Sequence, residues 1–189
     1  RPRFNLPSFL ALIMSVNILM FLLSLGEPRL VERLALVSTM VRMGEWYRLV
    51  GHMFLHGGLW HLVFNLWGLY LFGALLEKRI GSHRFLALYF ISGLLGAGFW
   101  LLANWNSPIP CIGASGALFG VILGTAMFFP DLQIMMLFPP VPMKLRTFAV
   151  VYAAFEIMME LSGGEAGIAH IVHLGGFVGG YLYLRLTFN

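Results

Sequence analysis

The sequence predicts an all-α membrane protein, a bundle of six transmembrane helices with an interfacial first loop, and three observations carry that prediction. Of 189 residues 59% are hydrophobic and 11% charged, where ordinary soluble domains carry roughly a quarter charged residues. The mean hydropathy of +0.84 describes more apolar surface than a soluble domain of this size buries. Apolar runs near the roughly 20 residues of a bilayer crossing recur along the chain, cut by charges and Gly/Pro clusters. A net charge of +4 is no nucleic-acid signature; so few basic residues set topology and meet anionic lipid headgroups. With Cys111 the single cysteine, no intrachain disulfide is possible.

The spans fall at roughly 8–25, 58–76, 84–104, 115–129, 145–162 and 167–187, within one domain covering 1–189. Phe9 to Leu25 follows Arg1 and Arg3 as a signal peptide would. It lacks a small-x-small exit and further spans follow, so it reads as the first span. The chain opens on an arginine, which leaves room for a soluble extension ahead of it. The fourth span is short, as expected of a helix that begins inside the membrane. With the N-terminus inside, Arg1, Arg3, Lys78, Arg79, Arg84, Lys144, Arg146 and Arg185 face inward, and Arg29, Arg33, Arg42 and Arg48 outward. This balance predicts two cytoplasmic termini. The outer arginines all lie in 26–57, where "RLVERLALV" has the apolar spacing of a short amphipathic helix lying in the interface.

Polar residues from three distant stretches share one depth under that topology. Ser115 opens the fourth span in "GASG", His170 and His173 lie early in the sixth, and His61 and Asn65 lie near the outer end of the second. At about 1.5 Å per residue, His173 and Asn65 each sit roughly 10 Å into their helices. A lone serine in a membrane helix ordinarily packs or back-bonds to its own helix, and G-x-S-G alone is a weak motif. Together the three clusters suit acyl transfer. Ser115 at a helix N-terminus has unpaired N–H groups and the positive dipole end beside it, and Gly113 and Gly116 leave its hydroxyl uncrowded. His173 shares a face with Gly176 and Gly180, and small-xxx-small spacing lets two membrane helices approach closely. His61 and Asn65, at i and i+4, share a helix face and offer donors for an oxyanion beside the Ser115 N–H. His170, one turn earlier, is the alternative base. No Asp or Glu is placed to orient His173, so a Ser–His dyad is expected. Glu156 and Glu160 form an i, i+4 pair on the fifth span with no assigned role, and His52 and His56 read as braces where the loop enters the second span.

These residues resemble the rhomboid family of intramembrane serine proteases over nearly the whole chain. "RLVGHMFLHGGLWHLVFN" is similar to the family's second-helix block, "EKRIGSHR" to the inner turn after it, "GASG" to its nucleophile motif and "AHIVHLGG" to its histidine segment. The resemblance implies a six-helix bundle with a water-filled cavity opening outward. It makes Ser115 the nucleophile, His173 the base, and His61 and Asn65 oxyanion donors with the Ser115 N–H. The family's Trp-Arg dipeptide is here interrupted by Tyr47, between Trp46 and Arg48, so only Arg48 carries over, as a structural residue.

The expected activity is serine endopeptidase cleavage of other proteins' transmembrane segments near their outer ends, in a bacterial inner membrane, without metal or cofactor. Substrates would enter beside the fifth span, where Phe148, Tyr152 and Phe155 form a gate, and helix-weakening Gly or Pro would favour cleavage. Two other readings remain: a non-catalytic binder of membrane helices, and a zinc site on His52, His56 and His61. No H-E-x-x-H or suitably placed carboxylate supports the zinc site.

Overall fold

The computed structural model describes residues 8–135, 140–162 and 170–188, and these are mostly helical. Arg1, Arg3 and the expected start of the last span at 167–169 lie outside them. In chain order come α1 (Phe9–Gly26), α2 (Arg29–Leu34), α3 (Ser38–Arg42), α4 (Arg48–Gly51) and a 3₁₀ turn at His52–Phe54. Next, α5 (Leu59–Gly68) runs through a π-helical turn at Leu69–Gly73 into α6 (Ala74–Ile80). Then follow α7 (Ser82–Ala103), α8 (Ser115–Phe128), β1 (Gln133–Met135), β2 (Pro142–Lys144), α9 (Leu145–Leu161) and α10 (His170–Phe188).

Among the described residues, Phe9–Gly26, Leu59–Ile80 and Ser82–Ala103 are long and apolar enough to cross a membrane, and Ser115–Phe128 is apolar but shorter. Only 17% of the apolar stretch in α1 is buried, leaving Leu12, Leu19, Leu22, Leu23 and Leu25 exposed. A helix apolar on every side yet barely covered by protein fits hydrocarbon as its solvent. Its first turn is held from a distance: the Glu77 carboxylate of α6 accepts from Ser8 Oγ at 2.6 Å and from the Leu10 N–H at 3.3 Å. This satisfies orphan donors that would otherwise be unpaired at the helix start.

The centre of the molecule is α7, α8 and α10, packed on one another. In α8, ten of the 14 residues are buried. A Cβ at Gly176 of α10 would overlap the Gly116 carbonyl oxygen of α8, and one at Gly180 would lie 2.8 Å from Gly120 Cα. The two backbones are therefore in direct contact, with the pairs 116/176 and 120/180 advancing in the same direction, so the helices run parallel. On the far side of α8, the single hydroxyl proton of Thr125 is shared between Val121 O at 2.8 Å on its own helix and Phe72 O at 3.1 Å in the π-helical turn. A widened turn weakens its own hydrogen-bond ladder, and the shared hydroxyl of Thr125 gives its Phe72 carbonyl a further donor.

The connection between α8 and α9 contains an antiparallel pairing that the sequence reading lacks. Gln133 faces Lys144, Ile134 faces Met143 and Met135 faces Pro142. Three-residue strands are too short to leave a legible period-two pattern. At their base Asp131 meets Lys144 Nζ at 3.0 Å and Arg146 at 3.2 Å, and these cations hold its carboxyl below the usual carboxylate range.

The glycine contact makes a test. Gly176→Val is expected to destabilise the protein by roughly 3 kcal/mol, since the side chain has only the Gly116 backbone to displace. Gly98→Ala, with nothing within 4 Å of the added Cβ, is expected to be neutral or mildly stabilising. Thermal unfolding in detergent micelles compares the two.

Candidate functional site

Segment 35–57 frames the approach to α8. Leu36 and Cys111 exchange backbone hydrogen bonds at 2.9 Å in both directions, and the Gly113 N–H donates to the His52 carbonyl at 2.9 Å. Gly113 has φ +134°, a conformation open to glycine, and a Cβ there would sit 3.0 Å from His61 Nε2 and 3.6 Å from Ser115 Oγ. The glycine thus lets the chain turn into α8 while His61 and Ser115 face the same small space. Burial pushes the Cys111 thiol up to about 12, so this cysteine stays protonated and unreactive.

Arg48 locks the frame. It is buried, donates through its guanidinium to the Glu32 and Ala35 carbonyls at 2.8 Å each, and pairs with Glu45 at 2.7 Å. The structural role expected of Arg48 is what these contacts describe. The Tyr47 hydroxyl, with Arg48 beside it, holds the Glu45 carboxyl below its ordinary value. His52, also expected as a brace, is buried with Nδ1 3.0 Å from the Arg48 carbonyl. His56 packs edge-on against His61, ring centroids 4.9 Å apart.

Ser115 is the first residue of α8, so its N–H has no intrahelical acceptor. Its Oγ lies 2.9 Å from His173 Nε2. The His173 ring stacks face to face on Phe119, 4.2 Å between centroids and 10° between planes, which fixes its orientation. Phe119 stacks in turn on Tyr152 at 5.0 Å, and Tyr152 on Phe148 and Phe155. The three aromatics expected as a gate therefore form one continuous row along α9. Of the two candidate histidines, His173 reaches Ser115; His170 points elsewhere. Asn65 donates to the His61 carbonyl at 2.8 Å, leaving one amide N–H of Asn65 for another acceptor. His61, Asn65, Ser115, Phe119, Tyr152, Glu156, His170 and His173 all line one cavity of about 1290 Å³.

One expectation is corrected. A carboxylate does reach His173: Glu156 Oε2 of α9 lies 2.9 Å from His173 Nδ1 and 2.6 Å from His170 Nδ1. The sequence places Glu156 on a span but is silent on which face of α9 turns towards α10, and that packing supplies the contact. The group of side chains close enough to hold an ion, among the described residues, is Glu156, His170 and His173, with ligand atoms within 4.8 Å of one another. It is not the His52, His56 and His61 set.

Fold and site together define a helical integral membrane protein with a serine–imidazole pair facing a large, open cavity. The Rhomboid domain profile matches residues 43–189. The chain is 32% identical over 182 residues to the Rhomboid protease GluP of Bacillus subtilis, covering 93% of this chain and 34% of that protein. It is 33% identical over 148 residues to the Putative rhomboid protease YdcA of the same organism, covering 75% of this chain and 67% of that one. With the Inactive RHOMBOID-like protein 8 of Arabidopsis thaliana it shares 32% identity over 134 residues, 71% of this chain and 36% of that protein. The chain belongs to the rhomboid family. It spans about a third of the length of GluP and two thirds of YdcA.

The frame gives a pH test. Burial holds His52 neutral, with its pKa lowered from the ordinary 6.5 to about 4. The unfolded chain therefore takes up the proton first as pH falls. Stability is full above about pH 6.5, drops between 6.5 and 4, and levels off below, with about 3 kcal/mol at stake. His56, lowered by burial to about 4 as well, adds a fall of the same sign over the same range, so His52→Gln is expected to reduce that fall in the melting-temperature profile by about half and leave the rest.

Proposed function

We propose that this chain is an intramembrane serine endopeptidase that cleaves transmembrane segments of other membrane proteins near their outer ends. The observation that carries the reading is the Ser115 Oγ to His173 Nε2 distance of 2.9 Å inside a cavity large enough for an extended peptide. In it, Ser115 attacks the scissile carbonyl while His173 takes the proton and later returns it to the leaving amine. The Ser115 N–H, His61 and Asn65 receive the developing oxyanion, and Gly113, Gly116, Gly176 and Gly180 support that geometry. Cavity water then hydrolyses the acyl-enzyme. No metal or cofactor takes part.

The remaining expectations belong to this reading: one domain over 1–189, six spans, segment 26–57 lying in the interface, both termini cytoplasmic and the cavity open to the outer face of a bacterial inner membrane. Substrates approach along the aromatic row of α9. They unwind locally before cleavage, because a helical carbonyl is already hydrogen-bonded.

A binding protein without catalysis is the second reading, favoured by the relative whose name marks it inactive. Wild type, Ser115→Ala and His173→Ala, reconstituted with a helix-destabilised membrane substrate, separate the two. Cleavage and labelling by a fluorophosphonate probe are expected in wild type and to fall by about 10³-fold or more in both variants. A folded wild type that neither cleaves nor labels makes the chain a binder.

A further inference from the structure

We infer that Glu156 is a positioning residue for His173, completing a Ser115–His173–Glu156 relay whose carboxylate is itself oriented by His170. The inference rests on the proteolytic reading of Ser115 and His173 and extends it by two residues.

The geometry follows from hydrogen-bond capacity. A carboxylate only accepts, so Glu156 Oε2 at 2.9 Å from His173 Nδ1 and 2.6 Å from His170 Nδ1 requires a proton on both Nδ1 atoms. Neutral His173 then has its bare Nε2 lone pair towards Ser115 Oγ, at 2.9 Å. That is the tautomer a base needs; the other presents an N–H to the hydroxyl and cannot take its proton. Phe119 fixes the plane of the ring, and Glu156 fixes which nitrogen carries the proton.

Burial argues against an incidental contact. The Glu156 side chain is 3% exposed, as is that of His170, while His173 is 12% exposed towards the cavity. An isolated carboxylate at such a site is costly. Among the described residues no lysine or arginine pairs with it, and its ionic partners are the two imidazoles. His173 becomes cationic when it takes the Ser115 proton, and Glu156 then faces an imidazolium at hydrogen-bond distance. The charge is best compensated in the transition state, which is the condition for raising kcat. The proton passes from Ser115 Oγ to His173 Nε2 and on to the leaving amine; Glu156 keeps none.

Two substitutions separate charge from shape. Glu156→Gln preserves size and loses the charge; Glu156→Asp preserves the charge and shortens the arm. In reconstituted full chain, kcat of Glu156→Gln is expected to fall about 10² to 10⁴-fold with KM within about twofold. Glu156→Asp is expected to keep a higher kcat than Glu156→Gln. A packing role predicts the reverse order, and Glu156→Gln equal to or better than Glu156→Asp overturns the inference. A second measurement uses wild type alone, so variant misfolding leaves the inference exposed: ¹⁵N spectra of the labelled histidines are expected to show His173 protonated at Nδ1, and an Nε2–H tautomer overturns it. Activity abolished by a chelator and restored by zinc also overturns it, making the cluster a metal site. Full activity in Glu156→Gln beside inactive Ser115→Ala and His173→Ala sinks this inference alone; a wild type that never cleaves sinks the protease itself.

Discussion

Direct contact between the backbones of α8 and α10 is the constraint on which the rest of the structure depends. Helices separated by ordinary side chains lie 8 to 10 Å apart, and a short serine side chain on one would not then meet an imidazole on the other. Here glycines face glycines, 116 against 176 and 120 against 180, and a single Cβ at Gly176 has no room. Lipid tails are as apolar as leucine, so helices in a bilayer gain little from hydrophobic burial and associate through close packing. The packing that holds the centre of the fold is thus also what sets the 2.9 Å distance between Ser115 and His173.

The buried polar groups of this apolar core are only partly paired: Asn65 Oδ1 and His170 Nε2 have no hydrogen-bond partner among the described residues. The Asn65 amide donates back to the His61 main-chain carbonyl along α5, and Ser115, His173, Glu156 and His170 form a side-chain chain across α8, α9 and α10. A buried polar group costs little when paired and several kcal/mol when not. Segment 35–57 adds a rigid rim through Arg48, the Leu36–Cys111 exchange and the His52 carbonyl. The serine and the His61 face reach the cavity from different elements, and Gly113 lets them share it.

Much of this was legible in the sequence because membrane helices announce themselves by composition and glycine spacing by period. The serine at the start of α8, the Gly176/Gly180 face and the H-x-x-x-N pair each mark a local geometry that does not depend on neighbours. The contact of Glu156 with His170 and His173 was not legible. Glu156 sits 14 and 17 residues before its partners, across a connection, and its contact depends on the rotation of α9 against α10, which a short span with mixed apolar faces does not specify. The β1–β2 pairing escaped for a different reason: it is fixed by backbone bonds between two three-residue stretches rather than by a pattern of side chains.

The position of Glu156 constrains how a substrate reaches the cavity under the proposed reading. Within α9 only Leu145, Ala149 and Glu156 are buried, while Val150, Val151, Phe155, Ile157 and Met158 are exposed, so this helix is held more loosely than α7, α8 or α10. Loose packing favours α9 as the wall that yields. Yet the hydrogen bonds of 2.6 and 2.9 Å that Glu156 accepts from His170 and His173 tie the same helix to the imidazole beside Ser115, and a displacement of even 1 Å breaks them. Swinging α9 aside would admit a peptide at the cost of the relay that is to act on it. Rotation of the Phe148, Tyr152 and Phe155 rings about their own side-chain bonds opens the row without moving the α9 backbone, so entry by ring rotation and an intact relay are compatible where entry by helix displacement is not.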